Sequence, residues 1–202
     1  MEKNSKQKTL FVVTGQSGSG KNWLADEAKK LGVSQVKSFT TRKKREGEDD
    51  ENYIFIKKEN VNSHLNLAFQ MFFDHFNCNL YFSTIDLVES AFKRSQNNYA
   101  LFIATPQSVI GIAELLLRFG IKIVYIHLAV PSSKRVENME KRGDTGEAIE
   151  KRLSTIDTFI DDEYTKFVEK YEHNYKISAV FEAAYAVPSS DRALNVIKDI
   201  IS

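Results

Sequence analysis

The 202-residue sequence is poor in cysteine, in proline and in long apolar runs, and each shortage excludes a class of protein. Cys78 is the single cysteine, so an internal disulfide is excluded, as is typical of chains from a reducing compartment. With 3 prolines and 27% charged residues, the chain is neither low-complexity nor disordered. No apolar run approaches the roughly 18 residues of a membrane span. The apolar stretch Leu10–Val13 is too short for the core of a signal peptide.

The charge balance is also close to zero, which argues against large charged partners. Lysine and arginine total 28 against 27 acidic residues, for a formal net charge of +1. Such a chain has no bulk electrostatic attraction to nucleic acid or to an anionic membrane. We therefore expect a soluble, cytoplasmic protein with neither nucleic acid nor membrane as a partner, and any basic character that matters must be local.

What the sequence does contain is an alternation of short apolar, β-branched runs with longer helical patterns. The predicted strands are 10–13, 33–39, 53–56, 71–76, 80–82, 99–104 and 121–128. The predicted helices are 22–30, 85–94, 109–119, 132–141, 147–171 and 193–201. In the longest of these, apolar residues step by three or four from Ile149 to Tyr171 and form one stripe. Strands interleaved with helices favour a single α/β domain over 1–202, layered around a mostly parallel sheet.

A glycine-rich segment, Gly15-Gln16-Ser17-Gly18-Ser19-Gly20-Lys21-Asn22, lies between the first predicted strand and the first predicted helix. Its glycines let successive backbone amides point at one anion, and the helix start and the Lys21 ammonium add positive charge. The alternative is a Gly- and Ser-rich turn without a ligand, but the strand-loop-helix context favours a phosphate-binding loop. Asn22 replaces the Ser or Thr whose hydroxyl ligates magnesium, and its amide oxygen is a hard ligand too.

Two other conspicuous groups of side chains are interpreted as packing or surface residues. Trp23 directly follows the phosphate-binding loop and is more typical of packing than of chemistry. The histidines His64, His127 and His173 are scattered along the chain without the spacing of metal ligands.

A local basic cluster, SFTTRKKREGE, begins at Ser38. Arg42 and Arg45 lie three residues apart with hydroxyls beside them, a pattern suited to a dianionic phosphate. Alone, such a run is more typical of a solvated loop, but a phosphate-binding loop at the end of the neighbouring strand favours a second anion site. Two facing anion sites are the arrangement that phosphoryl transfer between two phosphates requires.

A third group of basic residues, Arg135, Arg142 and Arg152, lies in and around the segment RGDTGE at 142–147. A loop between two helices can bring arginines over a bound nucleotide and exclude water. From these residues alone, an exposed connection between helices is an equally good interpretation.

Together these segments resemble the guanylate kinase family over about residues 8–180. The resemblance rests on GQSGSGK, SFTTRKKREGE followed by Tyr53, NLYFST and RGDTGEAIEKRL. It implies a three-layer P-loop kinase domain with a mostly parallel sheet, a small acceptor-binding insertion at about 38–97 and a helical lid at about 135–152. It also implies ATP and magnesium at the phosphate-binding loop and a nucleoside monophosphate as the acceptor.

The same resemblance implies roles for individual residues. Those implied for ATP are Gly15, Ser17, Gly18, Ser19, Gly20, Lys21, Asn22 and Arg142, with Asn22 also ligating the metal. Those implied for the acceptor are Ser38, Arg42, Arg45, Tyr53, Asp74, Tyr81 and Ser83. The implied catalytic residues are Lys21, Arg42, Arg142 and Arg152, which would supply positioning and charge and no covalent nucleophile.

The departures from the family pattern lie mainly where the base is recognised. Phe72 stands where the family has the glutamate that binds guanine, and Asp74, two residues along the same strand, faces the same side and could replace it. Ile103 and Thr105 replace a pair of aspartates. Ser83 stands at the position that can donate to guanine O6, and it is a remaining argument for a guanine nucleotide.

Three hypotheses follow for the function. The first is an ATP-dependent kinase that phosphorylates GMP or dGMP. The second keeps the reaction but takes another phosphate ester, such as ribose 1,5-bisphosphate or a different nucleotide, because His75 and Asn77 match a motif of the related ribose bisphosphate phosphokinases. The third, suggested by the changes at Asn22, Ile103 and Thr105, is a catalytically weak module that binds nucleotide or a protein partner. The retained lysine and arginines argue against the third hypothesis.

Overall fold

The computed structural model describes residues 7–44, 48, 50–64, 68–74, 79–156, 162, 164–169 and 181–202. The strands are β1 (Thr9–Gly15), β2 (Ser34–Gln35), β3 (Ser38–Thr40), β4 (Tyr53–Phe55), β5 (Ala68–Asp74), β6 (Asn79–Thr84), β7 (Tyr99–Ile103), β8 (Lys122–Leu128) and β9 (Phe181–Val187). The α-helices are α1 (Lys21–Lys30), α2 (Ile85–Arg94), α3 (Pro106–Leu117), α4 (Ser132–Lys141), α5 (Gly146–Lys151) and α6 (Ser190–Ile201). A 3-10 helix spans Lys58–His64, and a π-helical turn spans Arg152–Ile156.

The main sheet has five parallel strands in the order β2-β7-β1-β8-β9, with helices on both faces. Its central strand β1 is fully buried, because alternate residues face opposite helical layers. Leu10 and Val12 pack in a cluster with α2 and α3, whereas Phe11 and Val13 pack with α1 and α6. The expected three-layer α/β fold with a mostly parallel sheet is therefore confirmed, and the phosphate-binding loop leaves the carboxyl end of its central strand.

A smaller mixed sheet lies in the segment where the acceptor-binding insertion is expected. Its order is β4-β3-β6-β5, with β3 and β4 parallel and the other two pairs antiparallel. The predicted strand 33–39 is divided between the two sheets. The Val36 amide donates to the Leu101 carbonyl of the main sheet at 2.8 Å, whereas the Ser38 amide donates to the Asn52 carbonyl at 3.1 Å. The chain therefore changes sheets within two residues.

The structure differs from the sequence prediction at two further elements. The helix predicted over 147–171 is interrupted, since α5 ends at Lys151 and a π-helical turn follows it. Within the predicted stripe, Ile149 and Phe167 are buried as expected, and residues 157–161 and 170–180 lie outside the described part of the chain. The sequence analysis also missed the edge strand β9, whose alanines lack the β-branched pattern that marked the core strands.

Within the described residues, no helix combines the length and the apolar character needed to cross a membrane.

Candidate active site

The loop between β1 and α1 has a backbone that only glycine satisfies at two of its positions. Gly18 has a φ of +77°, and a Cβ atom there would lie 2.5 Å from the carbonyl oxygen of Arg135. Gly20 has a φ of +89°, and its Cβ would lie 2.9 Å from Ser190 Oγ. These close approaches join the loop to α4 on one side and to the start of α6 on the other. The glycines therefore serve packing as well as the curl of the loop.

Lys21 is the first residue of α1 and closes the loop onto itself. Its Nζ donates to the carbonyl oxygens of Gly15 and Gln16, at 2.7 and 2.8 Å. A carbonyl bears no net charge, so these bonds position the ammonium without neutralising it. The ammonium, the loop amides and the positive end of α1 are the groups that a polyphosphate site requires.

A cavity of about 750 Å³ opens over this loop and joins the three groups of residues that the sequence keeps far apart. The predicted catalytic residues Lys21, Arg42, Arg142 and Arg152 all line it. From the predicted ATP site, the lining includes Gly15, Ser17, Gly18, Ser19, Gly20 and Asn22. From the predicted acceptor site, it includes Tyr53 and Tyr81. One cavity is thus lined by at least one cationic side chain from each of the three sequence segments.

Arg42 is held by a carboxylate and lies over aromatic rings. Its two terminal nitrogens donate to both oxygens of Glu48, with Nη1 2.7 Å from Oε2, and the guanidinium lies 4.9 Å from the ring of Tyr53 and 5.1 Å from that of Phe55. The hydrogen bonds to Glu48 raise the pKa of Arg42 above its ordinary value. The sequence analysis assigned no role to Glu48, although its position six residues after Arg42 was visible. A bidentate acceptor on this arginine occupies the geometry that a phosphate would use.

The two tyrosines of the acceptor region form one wall of the cavity. Tyr53 and Tyr81 have ring centroids 6.1 Å apart in an edge-to-face arrangement. Strand pairing explains their proximity, because β3 aligns Ser38 with Tyr53 and Thr40 with Tyr81. Ser38 itself is 3% exposed, and among the described residues it does not line the cavity.

The sequence predicts that Ser83 and Asp74 contact a guanine base. Ser83 is fully buried, and its hydroxyl donates to the Lys37 carbonyl at 2.9 Å. Among the described residues that line the cavity, Ser83 is absent. Asp74 lies in β5 opposite Asn79, but its side chain, like the whole of Arg45, lies outside what the structure describes. The roles assigned to these residues stay predictions.

The arginines of the third basic group, Arg135, Arg142 and Arg152, occupy two kinds of environment. Arg142 ends α4, is 45% exposed, and donates through Nε to Asp144 Oδ2 at 2.8 Å. Arg135 is 5% exposed, and its Nε donates to the Val130 carbonyl at 3.0 Å. Arg135 therefore supports the phosphate-binding loop from below, whereas Arg142 and Arg152 line the cavity.

A further contact between α4 and the loop was missed from the sequence. Asn138 donates through Nδ2 to the Gly18 carbonyl at 2.8 Å, and it also lines the cavity. The residue lies between Glu137 and Met139 in α4, and no motif marked it. This bond joins α4 to the loop.

His127 belongs to a buried polar cluster beneath the loop. Thr14 Oγ1 lies 2.8 Å from both His127 Nδ1 and the hydroxyl of Tyr125, and the ring of Tyr164 stacks on the imidazole at 3.9 Å. Burial, and then the positive charge of Lys21, lower the pKa of His127 to about 4. The imidazole is therefore neutral at neutral pH, in agreement with its interpretation as a packing residue.

The interpretation of Trp23 as a packing residue is wrong. Its side chain is 40% exposed and lines the cavity beside Lys21. The buried face of α1 consists instead of Leu24, Ala25 and Ala28.

The donor set at the loop fits magnesium carried by a nucleotide. Among the described residues, no group of three or more histidine, cysteine or acidic side chains could hold a metal ion. Asn22 and Thr105 line the cavity and offer an amide and a hydroxyl oxygen, whereas Ile103 offers none. Magnesium commonly uses one or two protein oxygens together with substrate phosphates and water, so this small set is sufficient.

Comparisons with known proteins bear on the family and the fold of the chain. A family model described as guanylate kinase matches residues 7–184. Among solved structures, the chain is similar to the crystal structure of guanylate kinase from Anaplasma phagocytophilum, with 14% identity and a TM-score of 0.54, over 97% of this chain and 85% of that chain. At that identity the likeness shows the fold alone.

Two further solved structures are more distant. An uncharacterized protein from Eubacterium ventriosum has 13% identity and a TM-score of 0.42, over 97% of this chain and 98% of that one. A de novo designed protein with a P-loop NTPase fold has 8% identity and a TM-score of 0.44, over 96% and 91% of the two chains. A search of curated proteins gives no significant match.

Proposed function

We propose a reaction from one premise: the chain belongs to the guanylate kinase family, since residues 7–184 match that family's model. Family and fold support a nucleotide kinase. The finer proposal is ATP-dependent phosphoryl transfer to a nucleoside monophosphate, with GMP or dGMP as the leading acceptor. The observation on which it rests is the single cavity lined by Lys21, Arg42, Arg142 and Arg152.

The donor would lie with its phosphates along the loop. Amides from Gly15 to Lys21 and the start of α1 bind the β- and γ-phosphates, and the Lys21 ammonium moves from the loop carbonyls to phosphate oxygen. Asn22 would be the protein ligand of magnesium carried by the nucleotide, and the ion would supply neutralisation of phosphate charge.

The acceptor would lie against the second sheet. Its phosphate takes the bidentate position on Arg42 that Glu48 occupies, with the hydroxyls of Tyr53 and Tyr81 beside it. An acceptor phosphate oxygen then forms a bond to the γ-phosphorus as the bond from that phosphorus to the bridging oxygen breaks, and ADP leaves. Arg142 and Arg152 stabilise the negative charge on the transferred group, so the protein contributes positioning and electrostatics.

A second acceptor class is favoured by one observation. Ser83, the remaining argument for a guanine base, uses its hydroxyl to donate to the Lys37 carbonyl. A site with fewer donors and acceptors for one base rejects other acceptors less strongly. The second candidate is therefore transfer to another phosphate ester, such as ribose 1,5-bisphosphate or a different nucleotide.

The test is ADP release from ATP and magnesium with GMP, dGMP, AMP, UMP, CMP and ribose 1,5-bisphosphate as acceptors. Turnover highest with GMP or dGMP supports the leading proposal, and turnover highest with another acceptor supports the second. Measurable ATP binding without turnover on any acceptor contradicts both and leaves a nucleotide-binding module. Arg118→Ala, which removes an exposed arginine outside the cavity lining, is the matched control for Arg42→Ala.

A further inference from the structure

We propose that Trp23 is the platform on which the base of the phosphate donor stacks. The inference rests on the proposed function, because it requires that the loop bind a nucleoside triphosphate. It assigns to this chain a contact with the donor base that neither the family match nor the fold supplies.

The exposure of Trp23 is the first observation. Three large apolar side chains are exposed among the described residues, namely Trp23 (40%), Phe119 (41%) and Tyr185 (37%). Of these three, only Trp23 lines the cavity. It lies in the first turn of α1, two residues after Lys21, and outside the buried face of that helix. An exposed indole at this position offers a flat apolar surface directly beside the polyphosphate site.

The surroundings of Trp23 are the second observation. The cavity is also lined by residues 188–191, which comprise the two-residue connection after β9 and the first two residues of α6. The two helix starts are close, since a Cβ on Gly20 would lie 2.9 Å from Ser190 Oγ. Pro188 and Asp191 both line the cavity there, so this side has an apolar ring and one carboxylate. A planar base needs an apolar face and a few polar groups at its edge, and this part of the cavity supplies both.

Stacking on an aromatic face has a consequence for selectivity. Every base presents a π-face, so an indole platform binds different bases with similar strength. Removal of the indole should therefore weaken ATP and GTP by similar factors. A contact to the base edge, such as one from Asp191, would distinguish the two nucleotides.

The experiment uses a property of the chain itself: Trp23 is its single tryptophan, so intrinsic indole fluorescence reports on this residue alone. The wild-type protein is titrated with ATP, GTP and inorganic tripolyphosphate, and affinities are measured independently by calorimetry. We expect ATP and GTP to quench the fluorescence to saturation. Tripolyphosphate should bind and compete with ATP but produce little quenching, since it has no base.

Three variants complete the test. Trp23→Ala should weaken ATP and GTP binding by about tenfold, as expected for the loss of one base–aromatic stack, and leave tripolyphosphate binding within about twofold. Trp23→Phe should recover most of the lost affinity. Phe119→Ala, which removes an exposed aromatic outside the cavity lining, should change neither.

Two outcomes would overturn the inference, and they are distinguishable. If tripolyphosphate and ATP both bind, but Trp23→Ala leaves the ATP affinity unchanged, the base lies elsewhere and the proposed function stands. If neither ATP nor tripolyphosphate binds the wild-type protein, the proposed function fails and the inference fails with it.

Discussion

The two ends of the cavity hold their principal cations in different ways. At the donor end, Lys21 is bound by the neutral carbonyls of Gly15 and Gln16. At the acceptor end, Arg42 is bound by the carboxylate of Glu48 and stacked on two aromatic rings. The donor end is thus arranged by backbone geometry before any ligand arrives. The acceptor end carries an internal anion that a phosphate must displace.

This difference indicates which end of the cavity supplies affinity for the phosphate donor and which end selects the acceptor. In the proposed function, the loop amides are already arranged for polyphosphate, and only the Lys21 side chain moves from the loop carbonyls to phosphate oxygen. When a phosphate replaces Glu48 at Arg42, one bidentate acceptor replaces another. The net gain in binding free energy is therefore only the difference between the two interactions. We expect the donor end to dominate binding and the acceptor end to be more sensitive to the ligand's charge and shape.

The largest expected effect comes from Lys21→Met, which removes the ammonium at the donor end. Loss of one preorganised charge at the transferred group should lower kcat by about a thousandfold. Steady-state ADP release measures kcat, and thermal unfolding checks that the variant is folded. Retention of wild-type kcat would mean that Lys21 does not stabilise the transferred group.

Arg42→Ala tests the acceptor end and should have a smaller effect. The loss of a charge-assisted contact to phosphate corresponds to about 1.5–3 kcal/mol, and turnover should fall with every acceptor. Arg42→Lys keeps the charge but not the planar fork, so it should restore only part of the loss. Unchanged turnover in Arg42→Ala would mean that the acceptor phosphate binds elsewhere.

Acid should lower the free energy of unfolding through His127, which is buried beneath the donor end. Its folded-state pKa of about 4 lies below the ordinary 6.5, so the unfolded chain binds the extra proton first. This contribution to stability is complete above pH 6.5 and is lost as the pH falls from 6.5 to about 4, by about 3 kcal/mol.

The measurement is urea unfolding between pH 7 and pH 4. His127→Phe, which keeps a ring against Tyr164, should flatten the pH dependence in this window. An unaltered profile in His127→Phe would contradict the assignment.

The smallest expected effect comes from Glu48→Gln, which neutralises the internal anion at the acceptor end. Because the phosphate no longer competes with a carboxylate, the acceptor KM should fall by about two- to fivefold while the KM for ATP stays constant. A higher acceptor KM would mean that Glu48 orients Arg42 for the substrate more than it competes with it. The sign of this one change therefore decides between the two descriptions of the acceptor end.

Local motifs predicted the strand and the helix that flank the loop, because the loop and both elements are contiguous in the sequence. The loop from Gly15 to Asn22 needs only its own backbone and the following helix to define a phosphate site, and the structure has both flanking elements as expected. The mostly parallel sheet was also accessible, because its strands β1, β7 and β8 are buried apolar runs. The edge strand β9 was not accessible, since its alanines lack that pattern and it is defined by its pairing with β8.

The exposure of individual side chains could not be predicted from the sequence, for a different reason. Arg135 and Arg142 are the same residue type only seven positions apart, yet one is buried under the loop and the other lines the cavity. Trp23, expected to pack, is exposed because the buried face of α1 is filled by smaller residues. Neither distinction is encoded in the local pattern, because both depend on which helix face meets the sheet.

The sequence alone determined the chemical inventory of this protein: a phosphate-binding loop, a basic cluster and arginines in a loop between helices, each defined by neighbouring residues. Only the tertiary structure decided that Lys21, Arg42, Arg142 and Arg152 share one cavity, and that Glu48 already occupies the fork of Arg42. For Lys21 with Arg142 and Arg152, the physical reason is that proximity between residues more than 100 positions apart is set by strand order and helix packing, which no contiguous motif contains.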